Sequence, residues 1–416
     1  MSIEETVGKL CDDARVASRA LCKLSRTQKD AVLGEIAKRL REQGAAVISA
    51  NTQDVAAAES RGQKASLIDR LKLDKERVIA IADGVEAIMS FPDPVGEVIA
   101  QYARPNGLRV SRTRVPIGVV AMVYEARPNV TVEASALTIK SGNAVVLRGG
   151  SDAQHTNAAL ADIVRSALRA CGLSEDAVVM LPSSRESVRA LVGTAGRVDL
   201  AIPRGGEGLI REVVEHARVP LVLHYKGVCH VYVDAGADLE MAAKIAVNAK
   251  LSRPGVCNAM ECLLVDEVDA ARLLPPIAKA LQDNGCELRG CERSRALVPT
   301  MKEAHDEDFG REFLDAICAV RVVTGLDGAL AHIARYGSQH TECIVTGDAG
   351  RAERFRREAD AACVVVNAST RFHDGGELGL GAEIGIATSR LHWRGPMGLE
   401  ALTTMKWTIE GDGQTR

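Results

Sequence analysis

The chain has 416 residues, 46% of them hydrophobic and only 3% aromatic, with a net charge of −3. That length and composition suit two or three domains with an aliphatic core, of the kind that parallel strands of Val, Ile and Leu build. Lys+Arg 52 against Asp+Glu 55, with no basic block, excludes nucleic acid as the main partner. Eleven irregularly spaced cysteines read as reduced thiols of a cytoplasmic protein, and none forms a Cys-x-x-Cys pair with zinc spacing, so no metal is expected. The start, Met1 to Glu5, lacks the apolar region of a secretory signal, and every apolar run is shorter than a membrane span.

Residues up to about Ser90 read as helical. Ser25-Arg26-Thr27-Gln28 fits a capping box ahead of Val32, Leu33, Ile36 and Leu40, and Gly44 reads as the stop. Val98 to Tyr102 and Leu108 to Val115 flank Arg104-Pro105-Asn106-Gly107, a hairpin signal. From Ile117 onwards, apolar strand-like runs alternate with helical stretches. They are Ile117 to Val123, Ala144 to Leu147, Ala177 to Leu181, Val198 to Ile202 and Pro220 to Leu223. The spacing predicts a doubly wound parallel sheet. A second α/β unit follows, with strands expected at Cys229 to Val233, Glu261 to Val265, Ala319 to Val323, Glu342 to Val345 and Cys363 to Val366. Asp283 to Asp308 is polar and weakly patterned, Asp374 to Gly398 reads as loop, and Leu402 to Ile409 reads as a last strand.

The chemistry centres on Arg253-Pro254-Gly255-Val256-Cys257-Asn258. A helical pattern behind Asp238 runs into the Pro-Gly break, and Cys257 follows it. Backbone N–H groups left free at such a break favour a thiolate, although a small buried thiol is the commoner fate of a cysteine. Ile202-Pro203-Arg204-Gly205-Gly206 ends a strand and opens a helix, either as a diphosphate cradle or as an ordinary turn. Arg148-Gly149-Gly150-Ser151 ends another strand, where Arg148 either meets a ribose or 2′-phosphate or faces solvent. No acid for a ribose 2′-hydroxyl follows, which favours NADP over NAD. Asn129, after Arg127-Pro128, is either an oxyanion donor or a turn asparagine.

Arg127-Pro128-Asn129, Gly142 to Arg148 and Pro254 to Cys257 occur in the order found in the aldehyde dehydrogenase superfamily. Ala329 to Ile344, Val247 to Lys250 and Asn367 to Phe372 resemble, more specifically, the gamma-glutamyl phosphate reductase family of proline biosynthesis. The resemblance spans nearly the whole chain and departs locally at Leu251-Ser252, where Thr-Gln would be expected. It implies an aldehyde dehydrogenase-like α/β fold of two doubly wound domains and a small β oligomerisation arm. Residues 1–96 and 116–226 would bind dinucleotide, 227–395 would carry the nucleophile, and 97–115 with 396–416 would form the arm.

The resemblance also implies roles. Cys257 would be the nucleophile, with Asn129 and the Cys257 N–H as the oxyanion hole. Arg148, Ser151, Arg204, Gly205, Gly206 and Glu312 would bind NADP(H), Ser151 standing where many NAD-using relatives carry Glu. Arg127, Lys250 and Arg371 are the cationic candidates for L-glutamyl 5-phosphate. His332 and His340 would be structural. A hydrolytic, NAD-dependent member would carry a general-base Glu where this chain has His224-Tyr225-Lys226-Gly227, so inorganic phosphate rather than water is the expected acyl partner. His224 could replace that base, for a step the family does not need. The hydrolytic enzyme and a non-catalytic binding protein are the rival readings. A homo-oligomer is expected, and glutamate 5-kinase is a natural partner, because acyl phosphates are labile.

Overall fold

The computed structural model describes residues 1–224 and 226–416. Its first part is helical, over Ile3–Leu21, Arg26–Ser60, Ala65–Leu71 and Lys75–Ser90. The capping box forms: Gln28 N donates to Ser25 Oγ at 3.3 Å, and Ser25 N donates to Gln28 Oε1 at 2.9 Å. The stop expected at Gly44 does not occur, and the 35-residue helix runs through it. A Cβ there would lie 3.2 Å from Val78 Cγ1, so the missing side chain allows close approach to the helix Lys75–Ser90. Close packing outweighs the roughly 0.5–1 kcal/mol that glycine costs a helix.

Strands Val98–Ala103 and Arg109–Pro116 pair antiparallel, and Thr403–Glu410 adds to the second from Thr403↔Pro116 to Glu410↔Arg109. Gly107 N donates to Arg104 O at 2.9 Å and has φ +86°, so the hairpin turn needs this glycine. Val98, Tyr102, Trp407 and Ile409 stand exposed on this three-stranded arm.

The first parallel sheet has the order Val178–Met180, Ala144–Gly149, Val119–Tyr124, Leu200–Arg204. Pro220 to Leu223 forms no strand. It contributes a single bridge from Leu221 to Ala201, because the Leu223 carbonyl already turns away to Thr388 N at 3.1 Å. The second sheet is parallel throughout, in the order Lys302–Glu303, Glu287–Gly290, Ile317–Val323, Met260–Asp266, Cys229–Val233, Thr341–Val345, Cys363–Val366. The polar stretch Asp283 to Asp308 is ordered structure, since it supplies two of these strands and the helix Glu292–Leu297. Short strands with polar edges carry too little apolar alternation to be read from sequence.

Both sheets bury aliphatic strands on both faces. The two sheets bring opposite strand ends together. The first presents the C-terminal ends at Tyr124, Gly149 and Arg204, and the second presents the segments that lead into Cys229, Met260 and Thr341.

Candidate active site

Cys257 lies in the turn between helix Leu239–Leu251 and strand Met260–Asp266. Asp238 caps that helix, accepting from Met241 N at 2.7 Å. Backbone packing holds the turn. At Gly227 an added Cβ would lie 2.1 Å from Cys257 O and 2.6 Å from Cys257 Cα, so only glycine fits. Cys229 Sγ donates to Cys257 O at 3.2 Å. Asn258 Nδ2 donates to His373 O at 3.0 Å, and Thr370 Oγ1 donates to Asn258 O at 2.7 Å.

The chain break does not by itself favour the thiolate. Burial pushes the Cys257 thiol up to about 11; Arg204 and Arg127 oppose this, while Glu312 and Glu383 add to it. Desolvation outweighs the cations here. Two imidazoles stand against the sulfur: one ring nitrogen each of His224 and His340 lies with Cys257 Sγ in a group whose atoms are all within 4.8 Å. The His224 and His340 rings meet edge to face at 5.2 Å, and those of His340 and His373 at 5.1 Å. Burial holds His224 and His373 down at about 4 and His340 well below its ordinary value, so all three are neutral at pH 7. A second trio of soft ligand atoms, His230, Cys262 and His332, is wholly buried, with His230 Nδ1 2.9 Å from Glu342 Oε2.

Asn129 opens the helix Asn129–Lys140, and its Nδ2 donates to Glu133 Oε1 at 2.9 Å. Among the described residues, four non-glycine positions have positive φ, Ala126, Leu314, Gln339 and Asn367, and each lies within four residues of a candidate site residue. Backbone strain of this kind gathers where side chains must be aimed.

Arg127 and Arg204 both act on Cys257, and Arg70 acts with Arg204 on Arg127. The Arg70 guanidinium also lies 3.7 Å from the Cβ position of Gly255, and the Arg204 guanidinium packs onto Gly385, where no side chain would fit. None of the three has an ion-pair partner among the described residues. Arg371 is placed differently. Its guanidinium donates to Asn258 Oδ1 and so braces the nucleophile turn. Lys250, expected among the substrate cations, is not brought to the cleft. Its side chain is 0% exposed and pairs with the equally buried Glu261 at 2.7 Å.

The expected cofactor residues other than Glu312 gather at the C-terminal edge of the first sheet. Arg148 is 6% exposed and donates to the carbonyls of Ser183 and Ser184 at 3.1 and 3.0 Å. Ser151 is exposed beside it. A Cβ on Gly205 would come 2.5 Å from Glu125 Oε2, and Gly206 N donates to that same carboxylate at 3.0 Å. A carboxylate thus already sits on the N-terminus of helix Glu207–His216, the kind of place a phosphate favours. A diphosphate fits at this N-terminus in place of the Glu125 carboxylate, so these residues can hold a dinucleotide. Glu312 lies on the other side of the nucleophile turn, accepting from Gly227 N, with burial raising its carboxyl. Sequence reasoning missed Gly227, Arg70, His340 and His373 as site residues. Only the histidine within the signature run Ala329 to Ile344 carried any signal.

The aldehyde dehydrogenase family model matches residues 2–287. A gamma-glutamyl phosphate reductase of Sorangium cellulosum (strain So ce56) is 57% identical over 422 residues, covering 100% of this chain and 99% of the relative. One of Desulfatibacillum aliphaticivorans is 51% identical, covering 100% of both chains. The crystal structure of the gamma-glutamyl phosphate reductase of Thermotoga maritima matches with a TM-score of 0.97 and 43% identity, over 99% of each chain.

Proposed function

Because the chain belongs to the aldehyde dehydrogenase family and, within it, to the gamma-glutamyl phosphate reductases, we propose that it reduces L-glutamyl 5-phosphate to L-glutamate 5-semialdehyde and phosphate. This is the second step of proline biosynthesis from glutamate. One observation in the structure carries the reading. Arg127 and Arg204 face Cys257 and Arg70 lies against Gly255 of the same turn, all three without ion-pair partners among the described residues. A simple aldehyde needs no such set, whereas a substrate with a phosphate and a carboxylate does.

Cys257 attacks the acyl carbon, phosphate leaves, and a thioester on the sulfur remains. Asn129 and a backbone N–H hold the developing oxyanion. A nicotinamide dinucleotide held in the site would supply the hydride for the reduction to the aldehyde. Arg148, Ser151, Arg204, Gly205, Gly206 and Glu312 are the residues assigned to hold it. NADPH is the preferred donor, because Ser151 stands where many NAD-using relatives carry a Glu that would repel a 2′-phosphate. The run His224-Tyr225-Lys226-Gly227 has no carboxylate to activate water, which disfavours the hydrolytic alternative.

The exposed apolar residues of the arm fit a homo-oligomer built through it. No helix among the described residues is long and apolar enough to cross a membrane. The reading places the enzyme in the cytoplasm, with glutamate 5-kinase as the source of its labile substrate.

The test runs the reaction backwards with glutamate semialdehyde and NADP⁺, following NADPH. Formation that requires inorganic phosphate supports the reading. Formation without phosphate means that water resolves the thioester, and the hydrolytic alternative replaces it.

A further inference from the structure

We propose that His340 is the proton partner of Cys257: its free ring nitrogen takes the thiol proton as the sulfur attacks and passes it to the departing phosphate. The proposal deepens the reading above and rests on it. Three observations carry it. First, a ring nitrogen of His340 belongs to the group of atoms within 4.8 Å of Cys257 Sγ. Second, His340 is 0% exposed, and its Nε2 has no hydrogen-bond partner among the described residues. A buried imidazole nitrogen left unpaired is costly unless something meets it during the work of the site. Third, the other nitrogen is held. Thr341 Oγ1 lies 2.7 Å from His340 Nδ1 and 2.8 Å from His373 Nδ1. One hydroxyl hydrogen serves two nitrogens, so Thr341 donates to one ring and accepts from the other. When it donates to His373, the His340 proton sits on Nδ1 and Nε2 is a base.

The need for a base follows from the thiol. With its pKa pushed up to about 11, Cys257 alone would be about one part in 10⁴ thiolate at pH 7. The charges that face the sulfur are Arg204, Arg127, Glu312 and Glu383, and the titratable groups that face His340 are the neutral imidazoles of His224 and His373 and the Arg204 guanidinium. Burial above all, with Arg204 beside it, keeps His340 neutral, and therefore able to accept a proton at pH 7.

The step balances. The S–H bond breaks and its proton moves to His340 Nε2, while the sulfur electron pair forms the S–C bond. The oxyanion collapses, the C–O bond to phosphorus breaks, and phosphate departs with that electron pair. It takes the proton from the His340 imidazolium and leaves as hydrogen phosphate. The leaving oxygen starts on the carbon that sulfur has just bonded, within reach of the same imidazole. No oxidant or reductant enters this half of the reaction.

The test needs no substrate. Alkylation of Cys257 by iodoacetamide is followed from pH 6 to 11 by mass spectrometry of its peptide, in the wild type, His340→Gln and His224→Gln. The wild type should show a nearly flat limb near neutrality, above the line extrapolated from high pH. His340→Gln should lose that limb, on the order of 10²-fold at pH 7, and rejoin the wild type near pH 11. A wild-type profile in His340→Gln overturns the proposal, and so does loss of the limb in His224→Gln alone. If His340→Gln does not fold, the wild type still decides. A tenfold fall per pH unit from pH 10 to pH 6 leaves no role for a base. Failure of the wild type to make NADPH with phosphate would instead overturn the reading of the overall reaction, leaving the alkylation result standing.

Discussion

Replacing Gly227 by alanine drives a methyl group into the backbone of the nucleophile turn. The new Cβ would lie 2.1 Å from Cys257 O, 2.6 Å from its Cα and 2.7 Å from its carbonyl carbon, against the 3.0 Å below which real Cβ contacts essentially never fall. The worst contact is short by about 0.9 Å, and the opposing atoms are backbone, which cannot rotate away. Either the Gly227 segment or the Cys257 turn must move by nearly that distance. A displacement of about 1 Å at a reacting atom can cost about 10²-fold in rate. The overpacking itself should cost about 1–3 kcal/mol of stability, or several degrees in Tm. The expected result is therefore a folded enzyme with kcat/KM down roughly 10²-fold in the phosphate-dependent oxidation of glutamate semialdehyde. Gly84→Ala is the control. Gly84 sits inside the helix Lys75–Ser90 with nothing within 4 Å of its Cβ position. It should gain roughly 0.5–1 kcal/mol and keep full activity. Wild-type kcat/KM in Gly227→Ala would refute the claim that this glycine exists to let the two backbones meet.

Asn129→Ala should lower kcat by ~10²–10³, the usual cost of one oxyanion donor, and Cys257→Ala should abolish turnover; comparable rates in wild type and Cys257→Ala would sink the thioester route. Lys250→Met should destabilise the fold by about 3–5 kcal/mol in denaturant titration, because it strands the buried Glu261 carboxylate. The double variant Lys250→Met/Glu261→Leu should recover most of that, and a lone Lys250→Met with unchanged stability but a raised KM would return Lys250 to the substrate site. Acid should unfold the protein early. Burial depresses His224 and His373 to about 4 in the folded chain, against 6.5 for the free side chain. The stability from keeping them neutral is present above pH 6.5 and is lost as pH falls from 6.5 towards 4, at up to about 1.4 kcal/mol per pH unit for each group. His373→Asn should flatten the fall in Tm between pH 6.5 and 4.5; a slope equal to the wild type would show that this histidine does not carry it.

The aliphatic strands and the break at Pro254-Gly255 were legible in the chain itself. Cys229–Val233 and Cys363–Val366 appear at the residues their apolar runs mark, because an apolar strand run is a local pattern. Asp238 and Ser25 cap the helices they precede, since a cap depends on residues three positions apart. Gly44 misleads for the complementary reason: a helix continues through glycine when a partner helix, far along the chain, rewards the missing side chain. The same limit governs the site. His224, Cys257 and His340 are separated by more than thirty residues each, so no spacing rule joins them, and only the folded sheets bring their nitrogens and sulfur within 4.8 Å. Lys250 and Arg204 make the point with charges. Sequence marks both as cations, but tertiary burial pairs Lys250 with Glu261 and leaves Arg204 beside the nucleophile. Local order follows from neighbours in sequence, whereas the charge state and company of a side chain depend on which distant atoms the fold packs around it.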